Sequence, residues 1–201
     1  MTTAAGYPRR FVFERPFGPL RKRSGKIACG CFPWKNCWRN SSHRFKCGLR
    51  PRKRGNMKIA LGCDHGGFAL KQEVIHCLDA RGLEWEDFGC FDEASCDYPD
   101  FGRAAAEAVA SGKCDRGIVI CTTGIGISIV ANKVRGIRCA LCADTVSARL
   151  TREHNDANML AMGAGIVGKN LALSIVETFL DTPFSGEEKH VRRVGKITAL
   201  E

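Results

Sequence analysis

Apolar and polar positions along the chain change rhythm at Met57. From there, short β-branched apolar runs alternate with stretches whose apolar residues recur every three or four positions, the two periods of buried strands and amphipathic helices. Lys58–Cys63 (KIALGC) predicts a first strand, and Asp64-His65-Gly66-Gly67 leads into a helix over Phe68–Arg81. That helix carries Leu70, Val74, Ile75 and Leu78 on one face and stops at Gly82. Glu84–Phe88 predicts a second strand, and Asp100–Ser111, rich in alanine, a second helix. Ile118–Cys121 reads as a third strand, closed by Thr122-Thr123-Gly124-Ile125-Gly126 before a helix over Ile127–Lys133. Ile137–Cys142 and Asn158–Met162 complete the strands. Helices follow over Thr145–Glu153, with Asp144 as N-cap, over Gly168–Leu180 and over Glu187–Ile197. Strands alternating with helices at this spacing predict right-handed crossovers. The expected fold is α/β, a three-layer αβα sandwich around a five-stranded parallel sheet of Rossmann-like winding.

Residues 1–56 show no apolar periodicity. Charge separates them from the rest: they hold 15 of the 31 Lys and Arg but one acid, Glu14, a net +14, whereas residues 57–201 hold 16 basic and 20 acidic residues, a net −4. The overall +10 therefore belongs to an appendage, and the domain at 57–201 is mildly acidic. The appendage is expected to be a disordered basic extension, with Met57 able to open a complete domain. A targeting segment fits less well, because no amphipathic helix supports it. Cys29, Cys31, Cys37, His43 and Cys47 offer metal ligands, but their spacing does not match paired C-x2-C zinc sites. Interleaved basic and aromatic residues could grip nucleic acid, the reading with least support.

Twelve cysteines are scattered through strand-like and helix-like runs, which suits free thiols in a reducing compartment better than a disulfide framework. No run approaches the ~18 apolar residues of a membrane-spanning helix, and no apolar signal region follows the N-terminus. A cytoplasmic domain that does not engage a membrane is expected.

Ligands of open parallel sheets sit outside the carboxyl ends of the strands. Cys63-Asp64-His65, Cys121-Thr122-Thr123 and Cys142 with Asp144 fall at those ends, so the polar candidates are expected to converge on one sheet edge. Cys121 is either a thiolate at a helix start or a small buried hydrophobe. Asp64 is either a ligand contact or a helix cap. The glycine turn is neither a dinucleotide fingerprint nor a Walker loop, since the first strand ends in DHGG and no Lys-Ser or Lys-Thr follows the turn. His154, within Arg152-Glu153-His154-Asn155-Asp156, is a general-acid candidate. Lys189-His190-Val191-Arg192-Arg193 is either a solvated face or a phosphate clamp.

Four stretches met in order, GCDHGG, DYPDFG, GIVICTTGIGISIVANKVRGIR and REHNDANMLAMG, resemble ribose-5-phosphate isomerase type B and its galactose-6-phosphate isomerase relatives. The resemblance runs from Met57 to about Ile197 and leaves out residues 1–56. It implies an aldose–ketose isomerase acting on a sugar phosphate through a cis-enediolate, with neither metal nor organic cofactor. In the cysteine-type branch the base is the thiol here numbered Cys121. Thr123 and the amides of Thr122, Gly124, Ile125 and Gly126 would stabilise the enediolate oxygens. His154 would assist ring opening, Asp64 and Asn155 would bind the sugar, and His65 and Arg193 the phosphate. Family members are homodimers or dimers of dimers with the site at the subunit interface, so His154 is expected to act on the partner's Cys121. Two positions depart from the pattern. Gly163-Ala164-Gly165 replaces a segment that usually ends in arginine, and Lys189 stands where the C-terminal motif usually has arginine. Lysine keeps the charge without the bidentate fork, which leaves the preferred sugar open, and Arg192 is a candidate to compensate.

Overall fold

The computed structural model describes residues 57–201; the basic extension, with its alternative metal and nucleic-acid readings, lies outside the described residues. Within them the chain runs β1 (Lys58–Cys63), α1 (Phe68–Ala80), β2 (Glu84–Asp87), α2 (Tyr98–Ala110), β3 (Arg116–Cys121) and α3 (Ile125–Ala131). It continues as β4 (Cys139–Leu141), α4 (Thr145–Asn155), β5 (Met159–Gly163), α5 (Lys169–Asp181) and α6 (Glu188–Thr198). The five strands form one sheet in the order β2-β1-β3-β5-β4, and every pairing is parallel.

The sheet is covered on both faces because its central strands, after the leading Lys58 and Arg116 of β1 and β3, are buried at every position. Ile59, Leu61, Ile118, Ile120 and Leu160 pack with Val74 and Leu78 of α1 and Ile175 and Phe179 of α5. The alternate residues Ala60, Val119, Cys121 and Ala161 pack with Ala105 and Val109 of α2 and Ile127 of α3. The side-chain period of two thus sends Cys121 to the α2/α3 face.

Local signals act where the sequence put them. Asp144 Oδ1 accepts from the Ser147 amide at 2.7 Å and starts α4. Gly82, with φ +64°, ends the turn after α1 in open space.

Three elements differ most from their expected bounds. The second helix starts at Tyr98 rather than Asp100, with Pro99 inside its first turn. The helix after the glycine turn starts at Ile125 rather than Ile127 and ends at Ala131, because Asn132 turns back on the next strand. Its side-chain oxygen accepts from the Cys139 amide at 2.8 Å, and its amide donates to the Cys139 carbonyl at 2.8 Å. The fourth strand is only Cys139–Leu141, since the Arg138 amide is taken by the Asn158 side chain at 2.8 Å. No helix among the described residues is long and apolar enough to cross a membrane.

Candidate active site

β3 delivers Cys121, 4% exposed, to the carboxyl edge of the sheet. Its Sγ accepts from the Gly124 amide at 3.1 Å. The chain then doubles back through Gly124 at φ +76°, where a Cβ would lie 2.7 Å from the Met162 carbonyl carbon and 2.8 Å from the Gly163 nitrogen. The Cys121 and Thr122 carbonyls accept from the Ala164 and Gly165 amides, both at 2.9 Å, which ties the turn to the end of β5. Thr123 Oγ1 accepts from the Ile125 amide at 3.3 Å, so its own hydroxyl proton is free for another acceptor. Gly124→Ala is expected to cost about 2 kcal/mol or more, from the left-handed φ and the backbone clash together. An unchanged denaturation midpoint would refute that account.

The other half of the crevice comes from β1. Its direct neighbours are β2 and β3, so the chain leaves β1 toward one side of the sheet and returns on the other, a topological switch point. Asp64, 5% exposed, accepts from the Gly67 amide at 2.9 Å through Oδ1, so it does cap the short turn that precedes α1. His65 is exposed, and its Nδ1 accepts from the Cys96 amide at 3.3 Å, an arrangement that leaves Nε2 outward. Gly66 touches the turn directly: a Cβ there would fall 2.2 Å from Thr122 Oγ1.

Two residues of this region were not singled out from the sequence. Tyr98 packs its ring over the first turn of α3, 2.6–2.8 Å from where a Gly126 Cβ would sit. The glycine at 126, read from sequence as a turn residue and for its backbone amide, is the signal for that close approach. Lys71 is fully buried, with Nζ bonded to both Asp87 oxygens at 2.8 and 2.6 Å and to the Cys90 carbonyl. It anchors the loop that brings Cys96 to His65.

The strand-end cysteines separate by environment. Burial pushes the Cys63 thiol up to about 12 and the Cys142 thiol up to about 11, as expected of packing groups. Cys121 is the one of the three whose sulfur accepts a backbone amide at the start of a helix.

Asp64, His65, Cys121, Thr122, Thr123, Gly124, Ile125 and Gly126 therefore gather at one edge. His154, Asn155, Lys189 and Arg193 lie away from that edge. The reason is the crossover: α4 starts beyond the carboxyl end of β4 and runs back, so it ends at the amino edge of the sheet. Two residues past α4, the Ala157 carbonyl accepts from Arg116, the first residue of β3, at 3.3 Å. Five strand steps, about 17 Å, separate Arg116 at that edge from Cys121. There His154 and His190 place their ring centroids 4.3 Å apart. Lys189 pairs with Glu187 at 2.7 Å, Arg193 is exposed, and Asn155 lines a cleft of about 450 Å³ with Arg138, Thr151 and Ile197. The polar run around His154 is partly architecture. Arg152, 2% exposed, pairs with Asp156 at 2.9 Å, and Arg138 pairs with the same carboxylate at 3.1 Å.

A doubly wound parallel sheet with a thiol and an amide-rich turn at its switch point defines an α/β enzyme scaffold. Residues 59–197 match the family model described as Ribose/Galactose Isomerase, and the chain belongs to that family of sugar phosphate isomerases. It is 49% identical over 144 residues to Ribose-5-phosphate isomerase B of Escherichia coli (strain K12), covering 72% of this chain and 96% of that protein. It is 42% identical over 132 residues to D-erythrulose-4-phosphate isomerase of Pectobacterium atrosepticum, covering 65% and 86%. The solved structure of Clostridium thermocellum Ribose-5-Phosphate Isomerase B superposes with a TM-score of 0.70 at 58% identity, covering 72% of this chain and 97% of that one.

Proposed function

We propose that this protein interconverts ribose 5-phosphate and ribulose 5-phosphate through a cis-enediolate, with Cys121 as the base. The observation that carries the reading is the Cys121 sulfur, held by the Gly124 amide in the turn between the carboxyl end of β3 and the start of α3. The thiolate removes the C2 proton of the open-chain aldose. The C2–H electron pair becomes the C1–C2 double bond, and the carbonyl pair moves onto O1. The thiol then returns the proton to C1, and a proton shift from O2 to O1 completes the ketose. The Thr123 hydroxyl and the turn amides donate to the enediolate oxygens, where a preorganised donor is worth about 3 kcal/mol. Asp64 holds sugar hydroxyls, and His65 contacts the phosphate. No cofactor enters this scheme.

His154, Asn155, Lys189 and Arg193 serve the partner's site in a homodimer, His154 as the proton donor of ring opening and the two cations at the phosphate. Their position at the opposite edge from Cys121 supports this division. So does the apolar surface beside the turn, where Ile125, Ile129, Leu141 and Ile166 are 44–63% exposed. A reducing, cytoplasmic setting suits the eight free thiols of the described residues.

The second reading is an isomerase for a four- or six-carbon sugar phosphate. It draws on Gly165, which brings no side chain to the turn, on Lys189 as a single-point cation and on the tetrose-phosphate relative. The test is a panel of aldose phosphates from four to six carbons, with NMR following exchange of the C2 proton with solvent. The expected result is exchange and a kcat/KM for ribose 5-phosphate about tenfold or more above the others. A higher value for the tetrose or hexose phosphate selects the second reading, and no exchange with any sugar would make the protein a binding module.

A further inference from the structure

We propose that Ser185 is a positioning residue, which sets the ring proton and orientation of His190 and through it the ring of His154. The inference rests on the reading that His154 assists ring opening. Ser185 sits in the connection between α5 and α6, and its Oγ lies 2.8 Å from His190 Nδ1. The Glu187 amide donates to that same Oγ at 3.4 Å, which occupies one of its two lone pairs and leaves the hydroxyl proton free to donate to Nδ1. With the hydroxyl as the donor, the proton of the His190 ring sits on Nε2. His190 is 3% exposed and is the only buried residue of α6, so its ring has little freedom to turn. Its centroid is 4.3 Å from that of His154, with the planes tilted by 47°. The Ser185 amide donates to the Glu153 carbonyl at 3.2 Å, which joins the same short segment to the last turn of α4 beside His154. One serine thus contacts both elements that carry the histidine pair, once by side chain and once by backbone.

Glu187 and Lys189 are the charged groups around the pair. Lys189 holds the Glu187 carboxyl below its usual range, and the two histidines add to that effect. Glu153 on α4 has its carboxylate bonded to Arg149 instead.

Ribose 5-phosphate is largely a closed furanose, whereas ribulose 5-phosphate has no free hydroxyl at C5 and stays open. Ring opening therefore limits only the aldose direction, and exchange of the ketose C1 proton with solvent needs the base alone. In Ser185→Ala, kcat from ribose 5-phosphate is expected to fall about three- to tenfold, as for loss of one orienting hydrogen bond. C1 exchange of ribulose 5-phosphate should stay within about twofold of wild type, and Ser185→Thr should restore kcat. By 1H–15N NMR the His190 ring of the wild type should show the Nε2–H tautomer, with that preference lost in Ser185→Ala. An Nδ1–H tautomer in the wild type, an unchanged kcat, or equal losses in both assays would overturn the role of Ser185. Absence of C1 exchange in the wild type would overturn the isomerase reading itself, a separate failure visible before any variant is made.

Discussion

Cys121→Ala abolishes isomerisation, by about 10³-fold or more in kcat, while the protein keeps its fold. A positioned general base contributes 10²–10⁴-fold in typical enzymes, and 10³-fold corresponds to about 4 kcal/mol of transition-state stabilisation. Stability should change little, because removing one sulfur from a site lined by Ala60 and Ile127 leaves a small void. Losing the Gly124 amide's acceptor costs about 1 kcal/mol more. The measurement is a pair: turnover of ribose 5-phosphate, and solvent exchange of its C2 proton. Loss of both, with an unchanged circular dichroism spectrum and a midpoint lowered by only a few degrees, is the expected outcome. Retained exchange would mean that another group takes the proton, and the histidines would be the next candidates.

The second large effect concerns two chains together. Cys121→Ala and His154→Ala should each be inactive alone, yet a mixture allowed to exchange subunits should recover about a quarter of wild-type activity. The arithmetic follows from an isologous dimer with a shared site. Random mixing makes half of the dimers hybrids, and in each hybrid one site is wholly native while the other carries both substitutions. The structural basis is the placement of His154 at the amino edge of the sheet and Cys121 at the carboxyl edge, opposite ends of β3 about 17 Å apart. No recovery, with hybrids demonstrated by mass, would refute the shared site.

Much of the fold was legible before any coordinates, because its elements rest on local rules. The helix at Phe68 follows from Leu70, Val74, Ile75 and Leu78 at helical spacing, and all four are buried as that spacing requires. Asp144 as a cap and Gly82 as a stop are properties of single residues and their neighbours. Boundaries failed where a distant partner decided them. The fourth strand loses Arg138 to the Asn158 side chain, 20 residues away in sequence, and Ile137 to a turn that ends on the Val134 carbonyl. Lys71 reads as one more polar position on an amphipathic helix, and only its enclosure by Asp87 and Cys90 reveals an anchor for the loop beside His65.

The candidate site divides in the same way. Cys121 with its glycine turn is local: strand end, sharp turn and helix start lie within ten residues, and any parallel sheet presents them at its carboxyl edge. By itself the sequence thus determined the α/β class, the position of the thiol at a strand end and the amides around it, since each depends on short-range periodicity and on the backbone freedom of glycine. Only the tertiary structure decided that His154 and the α6 cations stand at the far edge, that Tyr98 covers the α3 turn and that Ser185 meets His190. Those relations depend on where a crossover helix ends and on how chain segments far apart in sequence pack, and residue spacing carries no record of either.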